Sequence, residues 1–165
     1  MSARTLAEEF FGRLQAGEVG DILDLMTPDA TVSLVPLNRH GPMVDLADNA
    51  DVGRVLRLMS DAGKIVVAPC HGAAALLSAP EVDGAWLFDG YKMTAFTDEE
   101  EDQSKPGKIG MPWYVEAELK NRGAIFDGGD AAWVSHVVID RNLITAQNPG
   151  STDAAAYAML KRLTK

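Results

Sequence analysis

"KIVVAPCHGAAALL", residues 64–77, holds the single cysteine of this 165-residue chain. Ile65, Val66 and Val67 follow one another without polar alternation, which predicts a short strand over Lys64–Ala68 buried on both faces. From Gly72 onward, Ala73, Ala74, Ala75, Leu76 and Leu77 all favour helix. Only Pro69, Cys70 and His71 lie between, so the chain must turn sharply there. A strand-to-helix elbow presents a nucleophile at the carboxyl end of a sheet. Helix amides at that point would favour the thiolate relative to free cysteine, whose pKa is about 8.5. A lone cysteine is ordinarily a small buried hydrophobe. The corner, and His71 beside it as a base or proton relay, argue for one that reacts.

Composition narrows the setting. The length suits one domain with a real core. A formal net charge of -9 argues against a nucleic-acid surface and against anionic membranes. No apolar run approaches the roughly 20 residues needed to span a bilayer. "MSARTLAEEFF" at the N-terminus carries acids and lacks the apolar stretch of a signal peptide. A free thiol with no internal disulfide suits a reducing cytoplasm, the expected location. His40, His71 and His136 show no metal-ligand spacing.

Other elements follow from caps and periodicity. Thr5 and Glu8 form a capping-box pattern opening a helix over Leu6–Ala16, with Leu6, Phe10 and Leu14 on one stripe and Gly17 as its stop. A short helix over Asp21–Met26 precedes "TPDA" and the alternating strand "TVSLV" (31–35). Asn49 caps a helix whose Val52, Val55, Leu56 and Met59 share one face, ended by Gly63. "GYKMTAFT" (90–97) reads as a strand, "DEEEDQSKPGKIG" (98–110) as a charged loop, and Pro112–Arg122 as a helix stopped by Gly123. "SHVVID" and "NLITA" form a hairpin about Asp140–Arg141, and "STDAAAYAMLKRL" is a closing helix capped by Ser151. His136 reads as a structural histidine and His40 as a loop hydrogen-bonder. Trp113 and Tyr114, at helical spacing with Leu119, read as core.

The acidic run directly follows a strand, at the sheet edge where the elbow ends. Most of its members read as solvated. One carboxylate could orient His71 as the third member of a triad does, and spacing alone does not choose which.

"HGPMVDLADN", "GKIVVAPCHGAAALL", "GYKMTAFTDEEE", "MPWYVEAELKNRGAIF" and "HVVIDRNLITAQNPGST" together resemble the DJ-1/PfpI superfamily in its Hsp31-like branch, described as glyoxalase III, protein deglycase and holding chaperone. The resemblance runs from about His40 to the C-terminus. It implies an α/β fold: a truncated flavodoxin-like sandwich with a nucleophile elbow. It implies Cys70 as nucleophile, His71 as its partner and Glu101 as the acid that holds the imidazole. The chemistry implied is cofactor-independent conversion of methylglyoxal and similar small α-oxoaldehydes to hydroxy acids, in a chain that pairs as a homodimer.

Three departures accompany the resemblance. The family's "GGHG" loop, whose backbone completes an oxyanion hole, is "NRHG" here, so the substrate loop is Arg39, His40 and Gly41 with a side chain where glycine is usual. "CHGP" is "CHGA", with Ala73 in place of proline. The long N-terminal βαβ portion, with its acid that hydrogen-bonds the cysteine, has no counterpart. Residues 1–36 instead resemble the helix-helix-strand opening of an NTF2-like (SnoaL-like) domain, joined near residues 36–41 to the DJ-1/PfpI-like portion, residues 37–165. The expected substitution places strand Thr31–Val35 where the family's own strand runs. Two other functions follow: a non-catalytic chaperone or interaction module retaining the elbow, and an NTF2-like small-molecule binder.

Overall fold

A computed structural model describes residues 32–33, 47–104 and 113–163, all within one compact unit, Thr31–Lys165. The two N-terminal helices expected, the join near residues 36–41 and the NTF2-like reading lie outside the described residues, apart from the two strand residues.

The central sheet has four strands in the order β1-β2-β8-β7. β2 (Val66–Pro69) is the elbow strand, starting two residues later and ending one residue later than the sequence pattern placed it. It pairs in parallel with β1 (Val32–Ser33) on one side and with β8 (Leu143–Ala146) on the other. The two described residues of the strand expected at 31–35 therefore lie beside the elbow strand. The hairpin about Asp140–Arg141 is present: β7 (Val137–Asp140) runs antiparallel to β8, with Asp140 opposite Leu143.

The uninterrupted apolar run of β2 has a packing reason. Val66 and Ala68 face a cluster with Leu56, Leu76, Phe88, Met93, Leu119 and Leu143. Val67 faces the other way, with Ile144, Ala146 and Ala155. Both faces of the strand are covered, so alternation would put a polar side chain in a core. Helices α1 (Ala50–Asp61) and α3 (Val115–Asn121) belong to the first layer and α4 (Thr152–Leu163) to the second. This is the α/β flavodoxin-like layering that the resemblance implied.

Local signals explain most boundaries. Asn49 Oδ1 accepts from the backbone N–H groups of Asp51 and Val52, at 3.0 and 3.1 Å, and starts α1. Leu56 is buried and Val52 and Met59 pack against the core, while Val55 sits at the edge of the stripe, 36% exposed. Gly123, at φ +103°, follows α3. Ser151 immediately precedes α4. It sits in a 3-10 turn, Pro149–Ser151, and its hydroxyl joins the His136 N–H to Asn148 Oδ1.

Three expectations are corrected. The segment after the elbow is a nine-residue 3-10 helix, Cys70–Ser78, starting at the cysteine itself; Gly72–Leu77 are all buried. The expected strand 90–97 contracts to β5 (Lys92–Met93), paired in parallel with β6 (Ile125–Phe126) in a separate ribbon. Beyond it the chain turns away to begin a helix. That helix, α2 (Asp98–Gln103), replaces part of the charged loop. Its N-cap is Thr97, with Glu100 three residues on: a capping box hidden at the head of an acidic run. A second ribbon pairs β3 (Glu81–Val82) with β4 (Ala85–Trp86). Among the described residues, no helix is long and apolar enough to cross a membrane.

Candidate active site

The elbow is built by sheet register and backbone strain. Pro69, the last residue of β2, is opposite Ala146, the last of β8. The next residue, Cys70, adopts φ +55°, a left-handed conformation that costs a non-glycine residue on the order of 1–3 kcal/mol. Fixed strand pairing before it and a 3-10 segment buried over Gly72–Leu77 after it hold that conformation in place. Cys70 is half-buried and unpaired by any disulfide.

His71 points back at the thiol: Cys70 Sγ lies 3.4 Å from His71 Nδ1. The other ring nitrogen, Nε2, lies 2.6 Å from Glu101 Oε2. A carboxylate can only accept, so Nε2 carries the proton and donates to it. Nδ1 is then the acceptor for the thiol S–H. The ring is also held by Phe96, with centroids 4.3 Å apart. The side chains of His71 and Glu101 are 19% and 21% exposed, so solvent reaches the pair only in part. Sequence spacing left the acid unassigned. The fold brings Glu101 to His71, the position the resemblance implied.

α2 delivers that acid. Thr97 caps it, the Glu101 N–H donates to the Thr97 carbonyl at 2.9 Å, and Asp98 to Glu101 fill its first turn, where negative charge complements the helix dipole. Successive side chains on a helix point about 100° apart. Glu101 therefore faces His71 while its neighbour Glu100 turns into the protein.

Glu100 is the site-forming residue that sequence reasoning missed. It is fully buried. Its Oε2 accepts from the Thr97 N–H at 3.1 Å. Its Oε1 accepts from the Trp133 N–H at 2.7 Å, Asn148 Nδ2 at 2.8 Å and Gln147 Nε2 at 3.1 Å. Burial pushes its pKa up, but these donors together outweigh burial and hold it below the usual glutamate range. The available signal was the T-x-x-E spacing of Thr97 and Glu100, masked by the run of acids around it.

The thiol corrects an expectation. Burial pushes Cys70 up to about 11; the His71 N–H opposes this, and the charges of Glu100 and Glu101 add to it. The elbow therefore holds a protonated thiol at neutral pH, where the sequence pattern suggested an enlarged thiolate fraction. A buried 3-10 start within the field of two carboxylates does not supply the environment expected of an α-helix N-terminus.

The remaining sequence candidates divide. Arg39, His40 and Gly41, the substrate-loop residues, lie outside the described residues. Trp113 packs against the core. Tyr114, expected in the core, instead donates its hydroxyl to Asp102 Oδ1 at 2.5 Å and ties α3 to α2. His136 Nε2 lies 3.2 Å from Asp127 Oδ1 without the geometry of a hydrogen bond.

No family model matches the chain. Curated relatives do. A Bos taurus glutamine amidotransferase-like class 1 domain-containing protein 1 is 37% identical over 120 residues, covering 73% of this chain and 54% of the relative. The protein/nucleic acid deglycase HchA of Escherichia coli is 31% identical over 130 residues, covering 73% of this chain and 44% of that protein. The chain thus spans about half the length of the curated relatives it matches. Among solved structures, glyoxalase III of Candida albicans aligns with TM-score 0.65 and 28% identity, over 74% of this chain and 53% of that one. With the layered fold, the strained cysteine elbow and these relatives together, the chain belongs to the DJ-1/PfpI superfamily, in its Hsp31-like branch.

Proposed function

We propose that the chain carries a cofactor-independent cysteine site that converts small α-oxoaldehydes to hydroxy acids. The observation that carries this reading is the array Cys70–His71–Glu101, with the thiol at a strained elbow, 3.4 Å from an imidazole whose far nitrogen is 2.6 Å from a carboxylate. The relatives named deglycase and glyoxalase III lend it support.

The chemistry follows from these atoms. Because the thiol rests protonated, attack and proton loss go together. Sγ bonds to the aldehyde carbon of methylglyoxal as its proton passes to His71 Nδ1, and Glu101 balances the imidazolium. His71 Nδ1 returns that proton to the new alkoxide, giving a hemithioacetal. The freed Nδ1 then takes the proton from the same carbon and delivers it to the neighbouring carbon, while the hemithioacetal O–H proton passes to the ketone oxygen. The hemithioacetal becomes a thioester and the ketone a hydroxyl, with no electrons leaving the substrate. Water cleaves the thioester, releasing lactate and restoring the thiol. Positioned proton transfer of this kind contributes about 10²–10⁴-fold. Arg39, His40 and Gly41 belong to this reading as the oxyanion loop, and a homodimer as its assembly.

The test is lactate formation from methylglyoxal without glutathione, with Cys70→Ser as control. Turnover that disappears in the serine variant is expected, since a serine hydroxyl ionises far less readily than a thiol. A wild-type rate equal to buffer would overturn the reading.

The protonated thiol favours a second reading, a non-catalytic chaperone or interaction module. Suppression of client aggregation that Cys70→Ala leaves unchanged, with no turnover, is the result that would select it.

A further inference from the structure

We propose that Glu100 is the positioning residue of this site, acting on Cys70 through Glu101 and His71; the inference rests on the reading that those three residues form the reactive unit. The capping-box role alone does not account for the geometry. A capping glutamate needs one oxygen to reach back to the N-cap N–H, and Oε2 does this with Thr97. The second oxygen of such a residue ordinarily faces water. Here Oε1 is sealed inside and receives three donors from two distant segments: Trp133 from the loop before β7, and Gln147 and Asn148 immediately after β8.

These contacts close a circuit around the thiol. β2 ends at Pro69 opposite Ala146, so Cys70 and Gln147 leave the sheet side by side. From Gln147 and Asn148 the circuit passes through Glu100 to the first turn of α2. From Glu101 it returns through His71 Nε2 to Cys70 Sγ. Each link is a hydrogen bond, a strand pairing or a single backbone step. Trp133, held at φ +65° with its N–H on Glu100, is pinned to the same carboxylate. Its ring meets Phe96 edge-on at 5.5 Å, and Phe96 in turn lies against His71. Tyr114, Trp133 Nε1 and Glu116 also hold α2, through Asp102, Gln103 and the Asp98 N–H. Glu100 is the carboxylate that ties its first turn to the ends of the central strands, and so bears directly on where Glu101 meets the imidazole.

Glutamine at this position keeps the volume but presents an NH₂ group to at least one N–H donor. It cannot satisfy both Thr97 and the inner donors. Glu100→Gln should therefore misplace Glu101 without removing it. The first measurement does not depend on turnover: the downfield imidazole N–H proton resonance of a short nitrogen–carboxylate hydrogen bond. Wild type should show it and Glu101→Gln should lack it. Glu100→Gln, folded by circular dichroism, should lose it or shift it markedly.

The second measurement is a double-mutant cycle on methylglyoxal turnover. Glu100→Gln alone should lower kcat about tenfold with KM little changed. In the Glu101→Gln background it should add less than about twofold, because residues acting through one another are not additive. Should Glu100→Gln fail to fold, Gln147→Met removes one inner donor at similar volume and should broaden or shift the same resonance. An unchanged resonance in a folded variant, or fully multiplicative losses in the cycle, would overturn the proposal. A wild type that shows the resonance but no turnover would instead sink the enzymatic reading and leave the resonance to decide the role of Glu100.

Discussion

Cys70 combines two properties that pull in opposite directions. Its backbone, at φ +55°, aims the thiol out of the sheet. Its surroundings, burial first and the charges of Glu100 and Glu101 after it, push the thiol up to about 11. A nucleophile of this kind depends on a base that takes the proton during attack, which is the place His71 Nδ1 occupies. Alkylation by iodoacetamide should show this directly. The rate at Cys70 in the folded protein should keep rising past pH 9, toward a midpoint of about 11. A plateau at or below about pH 8.5, the ordinary thiol value, would show that the carboxylates and burial do not act on the sulfur as described. At the same scale, Arg39→Gly should raise turnover if a side chain in the substrate loop obstructs the oxyanion, since one lost donor costs about 10²–10³ in rate. An unchanged or lower rate in a variant with intact circular dichroism would clear Arg39 of that role.

Among the elements, the 3-10 segment Cys70–Ser78 has a close backbone neighbour in α1. Gly53 of α1 lies against its end: a Cβ there would sit 2.2 Å from the Ser78 carbonyl oxygen, a backbone atom that cannot rotate away. Two effects compete in Gly53→Ala. Alanine favours a helix interior by about 1 kcal/mol over glycine, and overpacking costs about 1–3 kcal/mol. At 2.2 Å from fixed backbone the clash wins. The variant should be destabilised by about 1–2 kcal/mol, read as a lower urea midpoint at unchanged slope. Because the displaced element begins at Cys70, the alkylation rate should change as well. A midpoint equal to or above wild type would show that α1 shifts freely against the segment.

For the whole molecule, acid is the informative variable. Glu100 has a folded pKa below its ordinary value, so the unfolded chain binds more protons than the folded one as pH falls. Its stabilising contribution is present above the ordinary glutamate pKa of about 4.3 and is lost as pH drops through the folded value. Asp140, lowered first by the Lys92 N–H and then by Arg141, acts in the same direction. Asp98, raised by burial and then by Glu116, acts in the opposite one. The urea midpoint should therefore fall between pH 7 and pH 3, and Glu100→Gln should flatten that fall. Equal losses in the two proteins would discard Glu100 as a contributor to acid sensitivity. Assembly belongs to this scale too: sedimentation at micromolar concentration should give twice the mass of one chain, and a single monomeric species would remove the homodimer from the reading.

Features written in short stretches of sequence were legible without the fold. The apolar run 65–67, the Asn49 cap, the hairpin about Asp140–Arg141 and the turn between Ala68 and Gly72 each depend on residues a few positions apart. Local sterics and periodicity are enough to specify them. The same corner that made Cys70 a candidate also placed His71, because the two are adjacent. The chain alone did not separate Glu101 from the other acids around it; a family resemblance did, and the fold brought it to the imidazole. Tertiary structure alone decided the rest. Glu100 is buried because its donors arrive from Trp133, Gln147 and Asn148, 33 to 48 residues away, and no local pattern reports such partners. The thiol is raised rather than lowered for the same reason: desolvation and the two carboxylates are properties of the packed site, and the electrostatics of a buried group are set by what surrounds it in space.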